Sequence, residues 1–133
     1  MTGWRSRREG SAMITLGTIL VAEDDAAITD VLIEVLTDEG YAVRTVASGS
    51  EALAALQATS PDLALIDLSL PGMSGWELLE AARAQPIDVP IVVMTASTLA
   101  ADELAAAGAS ACLFKPFELD DLLACVAQHI PRR

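Results

Sequence analysis

Cations are scarce in this 133-residue sequence wherever a folded body is to be expected. Arg5, Arg7, Arg8, Arg132 and Arg133 stand near the ends. Between them, with Glu9 set aside, only Arg44, Arg83 and Lys115 face 18 acids, a balance of −15. A surface of that sign repels nucleic acid and suits a cation or a basic protein partner, although most such groups simply keep a surface solvated. Aromatic residues make up 4% of a chain that is 53% hydrophobic, so the core must be built from Ala, Leu, Val and Ile, as when helices pack on a sheet. No apolar run approaches the roughly 20 residues of a membrane span. The start, Met1-Thr2-Gly3-Trp4-Arg5-Ser6-Arg7-Arg8-Glu9, has basic residues but no apolar segment behind them. Such a start does not read as a secretory signal, and a cytoplasmic protein is expected. Cys112 and Cys125 fit reduced, buried thiols there, and without ligands at metal spacing they make no zinc site. The single histidine, His129, reads as a surface cation near the end of the last helix rather than a catalytic group.

What is present is an alternation. Residues 1–17 lack apolar periodicity and read as a flexible extension dispensable for fold and chemistry, with Met13 a second candidate start. Residues 18–131 read as one domain, with no repeat and no linker. Thr18–Ala22 is a first strand, ending in Glu23-Asp24-Asp25. Ile28, Val31, Leu32, Val35 and Leu36 recur at helical spacing up to Gly40, a fair stop. Tyr41–Val46 is a second strand, and Ser48-Gly49-Ser50-Glu51 is a capping box opening a helix with Leu53 and Leu56 on its apolar side. A third strand ends at Asp67. Ser74-Gly75-Trp76-Glu77 is another capping box, beginning a helix through Leu78, Leu79 and Ala82, with Trp76 read as helix packing. A fourth strand runs through Ile91–Met94 to Thr95. An alanine-rich helix follows to about Ala107, and a fifth strand spans Ala109–Phe114. Leu119, Leu122, Leu123, Val126 and Ile130 mark a last helix, stopped by Pro131. Strands and helices alternate five times, the signature of a doubly wound parallel sheet with helices on both faces.

Asp67 closes the unbroken apolar run Leu63–Ile66, which suits a strand buried on both faces, and a Pro/Gly/Ser-rich loop follows. Taken alone, it reads as a turn or cap aspartate. By the same standard Thr95 is a strand-end hydroxyl, Lys115 a solvated lysine, and Glu23-Asp24 a charged helix entrance. All five, however, lie just beyond strand C-terminal ends. In a parallel sheet those ends share one edge, where open α/β sheets place their ligands. Three carboxylates packed together repel unless a cation joins them. Mg²⁺ suits such a set, because it takes a few carboxylate oxygens and keeps several waters. Carboxylates, Mg²⁺, a hydroxyl and an ammonium around one spot are what a transferring phosphoryl group requires.

The motifs Ile19-Leu20-Val21-Ala22-Glu23-Asp24-Asp25, Pro61-Asp62 through Asp67 to Pro71-Gly72-Met73-Ser74-Gly75, Pro90-Ile91-Val92-Val93-Met94-Thr95-Ala96 and Lys115-Pro116-Phe117 closely resemble the receiver domain of two-component response regulators, over roughly residues 18–130. The resemblance is to the single-domain, chemotaxis-regulator-like kind. It implies a flavodoxin-like (βα)5 fold with strand order 2-1-3-4-5. It further implies that Asp67 accepts a phosphoryl group from a histidine kinase or phosphotransfer protein in a phosphorelay. Glu23, Asp24 and Asp67 would hold Mg²⁺ with the backbone carbonyl of Ser69, while Thr95 and Lys115 contact the phosphoryl oxygens. The Lys115–Pro116 peptide would be cis. Partners would be the kinase and a downstream protein target, with no direct contact to nucleic acid or membrane. The chain itself would be a monomer or a weak phosphorylation-dependent dimer, catalysing only its own phosphorylation and dephosphorylation.

One position departs from the pattern. Receivers usually carry Tyr or Phe three residues before the lysine, and here Cys112 stands there. Phe114, two residues on, shares its strand face and is a substitute for the ring in a switch through Thr95, Cys112 and Phe114. Three alternatives stand beside the single-domain reading. A fragment of a larger regulator or hybrid kinase would carry the same motifs. A haloacid-dehalogenase-like phosphohydrolase would want an acid two residues after Asp67, where Ser69 stands, and a cap domain. A flavodoxin-like cofactor binder would want a phosphate loop after the first strand, and none follows.

Overall fold

Continuous apolar runs of four to six residues bounded by turn-formers are too short for helices and too apolar for a solvated surface. In the computed structural model, which describes residues 15–85 and 87–130, they form one five-stranded sheet. The expectations for residues 1–14, a start at Met13 among them, and for Pro131 lie outside the described residues. In chain order the elements are β1 (Gly17–Ala22), α1 (Ala26–Asp38), β2 (Tyr41–Val46), α2 (Gly49–Ala58), β3 (Leu63–Asp67), α3 (Gly75–Ala84), β4 (Ile91–Thr95), α4 (Ala101–Ala106), β5 (Ala111–Phe114) and α5 (Leu119–His129). All strand pairs are parallel and the order is β2-β1-β3-β4-β5, as the resemblance implies. Among the described residues no helix is long and apolar enough to cross a membrane.

Period-two alternation divides the core. Ile19, Val21, Leu63, Leu65, Val92 and Met94 join Leu32, Leu36, Leu122 and Val126 under α1 and α5. Leu20, Ala22, Ala64, Ile66, Ile91 and Val93 join Leu56, Leu78, Leu79 and Leu104 under α2, α3 and α4. Both faces of the central strands are therefore dry, which is why they read as unbroken hydrophobic runs.

Local chemistry sets the helix ends. Asp25 caps α1, its Oδ1 accepting from the amides of Ala27 (2.9 Å) and Ile28 (3.2 Å). Gly40, with φ +107°, turns the chain from α1 into β2 in a conformation costly for other L residues. The Ser74–Glu77 capping box is complete in both directions. That of α2 is not reciprocal: Ser48 Oγ accepts from the Glu51 amide, but Glu51 Oε1 accepts from the amide of Ala47 rather than Ser48. The alanine-rich segment after β4 is a 3₁₀ turn over Thr98–Ala100 before a six-residue α4. Neither piece has a side-chain cap, and Leu104 is the buried residue of α4, so little holds a longer helix straight. Leu16 packs against the α1/α5 cluster, and β1 begins at Gly17, one residue before the expected strand.

Arg83, on the last turn of α3, ties two loops together. Its Nη2 and Nε donate to Gly108 O (2.8 and 3.2 Å), and its Nη1 donates to Ile87 O (2.8 Å). Arg83→Ala should lower stability in urea by about 1–3 kcal/mol, since hydrogen bonds to a charged donor are lost and carbonyls are left to water. Lysine lacks the planar fork, so Arg83→Lys should recover only part of the loss. An unchanged urea midpoint for the alanine variant would show the fork to be idle.

Candidate functional site

The C-terminal ends of β1, β3, β4 and β5 deliver Glu23, Asp67, Thr95 and Lys115 to one edge of the sheet. Glu23, Asp67 and Thr95 are buried, whereas Asp24 is exposed at the rim. One carboxylate oxygen from each of Glu23, Asp24 and Asp67 lies within 4.8 Å of the others. Lys115 Nζ donates to Glu23 Oε1 at 2.9 Å and lies 3.4 Å from Asp67 Oδ2, so a single ammonium faces two carboxylates. Backbone amides hold the acids from behind. Asp25 N–H donates to Glu23 Oε2 at 3.1 Å, and Ser69 N–H donates to Asp67 Oδ1 at 3.3 Å. Thr95 Oγ1 accepts from the Ser97 amide at 3.1 Å, and its carbonyl accepts from the Lys115 amide at 2.8 Å. The Lys115–Pro116 peptide is cis.

The electrostatics follow from that crowding. Burial pushes the Glu23 carboxyl above its ordinary range, and the charge of Asp67 adds to this against the opposing hydrogen bonds from Lys115 and Asp25. Burial disfavours the Lys115 ammonium, yet its bond to Glu23 and the charge of Asp67 outweigh this and hold its pKa above the usual lysine value. Three acids with one fixed cation leave a net negative pocket of hard oxygen donors, which fits a divalent cation such as Mg²⁺. Asp25 stands next to the trio in sequence but is not part of it, because its carboxylate is spent on the α1 N-terminus. Its two roles, cap and amide donor to Glu23, were missed in the sequence, although its place just before the first periodic residue was the signal.

The other expected positions separate. In the β4–β5 register Cys112 lies beside Val93, and Phe114 lies beside Thr95. Cys112 packs partly against the α2/α3/α4 cluster, and burial raises its thiol pKa. Phe114 is 37% exposed. Trp76 is exposed rather than packed on its helix. His129 is half-buried, its Nδ1 2.8 Å from Cys125 O and remote from the acidic edge.

Comparison with known proteins points to one family. Residues 19–127 match the family profile of the response regulator receiver domain. The transcriptional regulatory protein TcrA of Mycobacterium tuberculosis is 40% identical over 108 residues, which span 80% of this chain and 43% of that protein. A putative response regulator from Chloroflexus aurantiacus superposes with a TM-score of 0.81 at 35% identity, covering 87% of this chain and 98% of its own. The receiver domain of a sensor histidine kinase from Pseudomonas aeruginosa, solved with a magnesium ion in its active-site cleft, gives 0.79 at 31% identity, covering 86% and 97%.

Proposed function

This chain belongs to the response regulator receiver domain family, and from that premise we propose that Asp67 takes a phosphoryl group from a histidine kinase or phosphotransfer protein. The observation that carries the proposal is the bridging of Glu23 and Asp67 by Lys115 within a carboxylate trio at the C-terminal edge of the sheet. A carboxylate oxygen of Asp67 forms the new P–O bond as the donor's P–N bond breaks. Lys115, held at the mouth by two acids, is placed to follow the charge as it moves onto the phosphoryl oxygens. Thr95 offers its hydroxyl proton to one of them. Glu23, Asp24 and Asp67, with the Ser69 carbonyl, are the residues that would hold Mg²⁺. When bound there, the ion neutralises the acids and binds phosphoryl oxygen.

In this reading the protein acts in the cytoplasm and works on no substrate but its own aspartyl phosphate. Residues 18–131 form the unit that carries the chemistry. Partner proteins read the result, and the acidic body makes no contact of its own with nucleic acid.

The test is metal dependence. Ionised Glu23 costs the metal-free fold stability at neutral pH, because its folded pKa lies above the unfolded one. That cost is absent below the unfolded pKa and grows as pH rises through the folded value. Lys115, raised within the lysine range, does not change charge in this window. Mg²⁺ at 100-fold its Kd should stabilise the protein by about 2.7 kcal/mol, several degrees in Tm. The gain should be smaller at pH 5 than at pH 7.5, where protons no longer compete for the carboxylates. Phosphate uptake from acetyl phosphate should vanish in EDTA. Uptake that persists in EDTA, or a Mg²⁺ shift larger at pH 5, would contradict the reading.

The response is expected to run through Thr95 and Phe114. A thiol at position 112 is too small to fill a space vacated by Thr95, whereas Phe114 is already beside Thr95 and partly exposed. With beryllofluoride as a phosphoryl mimic, Phe114→Ala should weaken the gain in partner affinity more than Cys112→Ala does. The reverse order would place the switch on Cys112.

A further inference from the structure

Two of the three carboxylates of the acidic edge come from a single turn. Glu23 and Asp24 lie between the end of β1 at Ala22 and the start of α1 at Ala26, whereas Asp67 closes β3. Glutamate has an extra rotatable bond compared with aspartate, so burial alone does not decide where the Glu23 carboxylate points. Its two oxygens nevertheless have different partners. Oε1 accepts from Lys115 Nζ at 2.9 Å, and Oε2 accepts from the Asp25 amide at 3.1 Å. The amide therefore selects which oxygen faces the ammonium.

That amide is itself held in place. Asp25 Oδ1 accepts from the amides of Ala27 (2.9 Å) and Ile28 (3.2 Å), with the Asp25 backbone extended at φ −85° and ψ 113°. Thr29 Oγ1 donates to Asp25 O at 3.0 Å and approaches Glu23 O at 3.4 Å. Glu23 N–H donates to Val46 O at 3.1 Å, which anchors the turn to the end of β2. Asp25 is exposed and lies outside the carboxylate trio. An exposed aspartate bonded to helix amides is ordinarily a cap that serves stability alone. Here the same residue carries the cap on its side chain and the Glu23 bond on its backbone, so loss of the first releases the second.

We propose that Asp25 is a positioning residue for the metal site: its cap on α1 locks the turn that aims Glu23 and Asp24. The inference rests on the reading that Glu23, Asp24 and Asp67 hold Mg²⁺. It assigns Asp25 a role of shape rather than charge, so any side chain that caps α1 should serve. Ser and Asn accept from helix amides about as well as Asp does, and Ala cannot.

Mg²⁺ titrations of the full chain, followed by NMR amide shifts at a temperature where every variant is folded, give a Kd that a merely stabilising cap would not move. Asp25→Ala should raise that Kd roughly tenfold, as expected when a group supporting a metal ligand is removed. Asp25→Asn and Asp25→Ser should stay within about threefold of the parent. In the metal-free protein, protection of the residue-25 amide from solvent exchange should fall about tenfold in the alanine variant and be kept in the other two. Thr29→Val removes the second brace at nearly constant shape. It should move both readouts in the same direction, and it decides the matter if Asp25→Ala does not fold. A parent-like Kd in both Asp25→Ala and Thr29→Val would overturn the proposal. Equal weakening in the Ala, Asn and Ser variants would overturn it in favour of charge. If the parent shows no Mg²⁺ shift, the metal reading fails, and unchanged amide protection in Asp25→Ala would then separately refute the positioning of Glu23.

Discussion

Asp67→Asn should take up no covalent phosphate from acetyl phosphate or a phosphohistidine donor, a loss of at least about 10³-fold in rate. The amide keeps the shape of the side chain but offers no carboxylate oxygen as nucleophile. Lys115 keeps its 2.9 Å bond to Glu23, so the site is not dismantled. One negative charge leaves a crowded cluster, and the variant should fold at least as well as the parent in a thermal melt. Intact-mass measurement after incubation with Mg²⁺ separates the outcomes. Phosphate on the variant at the parent's level would refute Asp67 as acceptor and, with it, the proposed reaction. Residual phosphate on a minor site would instead leave the assignment standing for the bulk of the reaction.

A large loss of stability is also expected from a single methyl group. Gly49 opens α2, and a Cβ built there would lie 1.9 Å from the carbonyl oxygen of Met73. Its amide also approaches Pro71 O at 3.5 Å, so the N-terminus of α2 is pressed against the loop that follows Asp67. Gly49→Ala gains up to about 1 kcal/mol of helix propensity. Against that, overpacking of a well-filled site costs about 1–3 kcal/mol, occasionally more. A backbone atom cannot swing aside as a flexible side chain can, so the upper part of that range applies. The expected net is a loss of about 2 kcal/mol, seen as a lower urea midpoint at unchanged slope. Because the displaced atoms belong to the loop carrying Ser69, phosphate uptake should slow as well. Ala54→Gly, on an exposed turn of the same helix, should cost only the propensity difference of roughly 1 kcal/mol and leave uptake alone. If Gly49→Ala melts like the parent, the loop yields freely and the close approach is incidental.

Strand and helix identities were legible in the chain because their signals are local. A run such as Leu63–Ile66 has no polar face, so it must be covered on both sides, and only a central parallel strand offers that. Five such units leave Glu23, Asp24, Asp67, Thr95 and Lys115 at strand ends, and parallel pairing brings strand ends to one edge without further information. Fold and acidic edge were therefore determined by the sequence itself. What tertiary packing alone decided concerns partners distant in the chain. Periodicity marks Val31 and Leu119 as apolar-face residues, yet whether a face is covered depends on what packs over it, and both side chains are left partly exposed. Trp76 is exposed for a like reason, beyond the strip of α3 that the sheet buries. Gly49 shows no unusual backbone angle that composition could betray; its need for glycine comes from Met73, 24 residues away and across a loop. Nothing local marks Arg83, whose guanidinium meets the carbonyls of Ile87 and Gly108 only in the fold. Short-range backbone preferences and the period of burial are carried by neighbouring residues, whereas steric exclusion and the satisfaction of carbonyls depend on atoms that meet only after the sheet has closed.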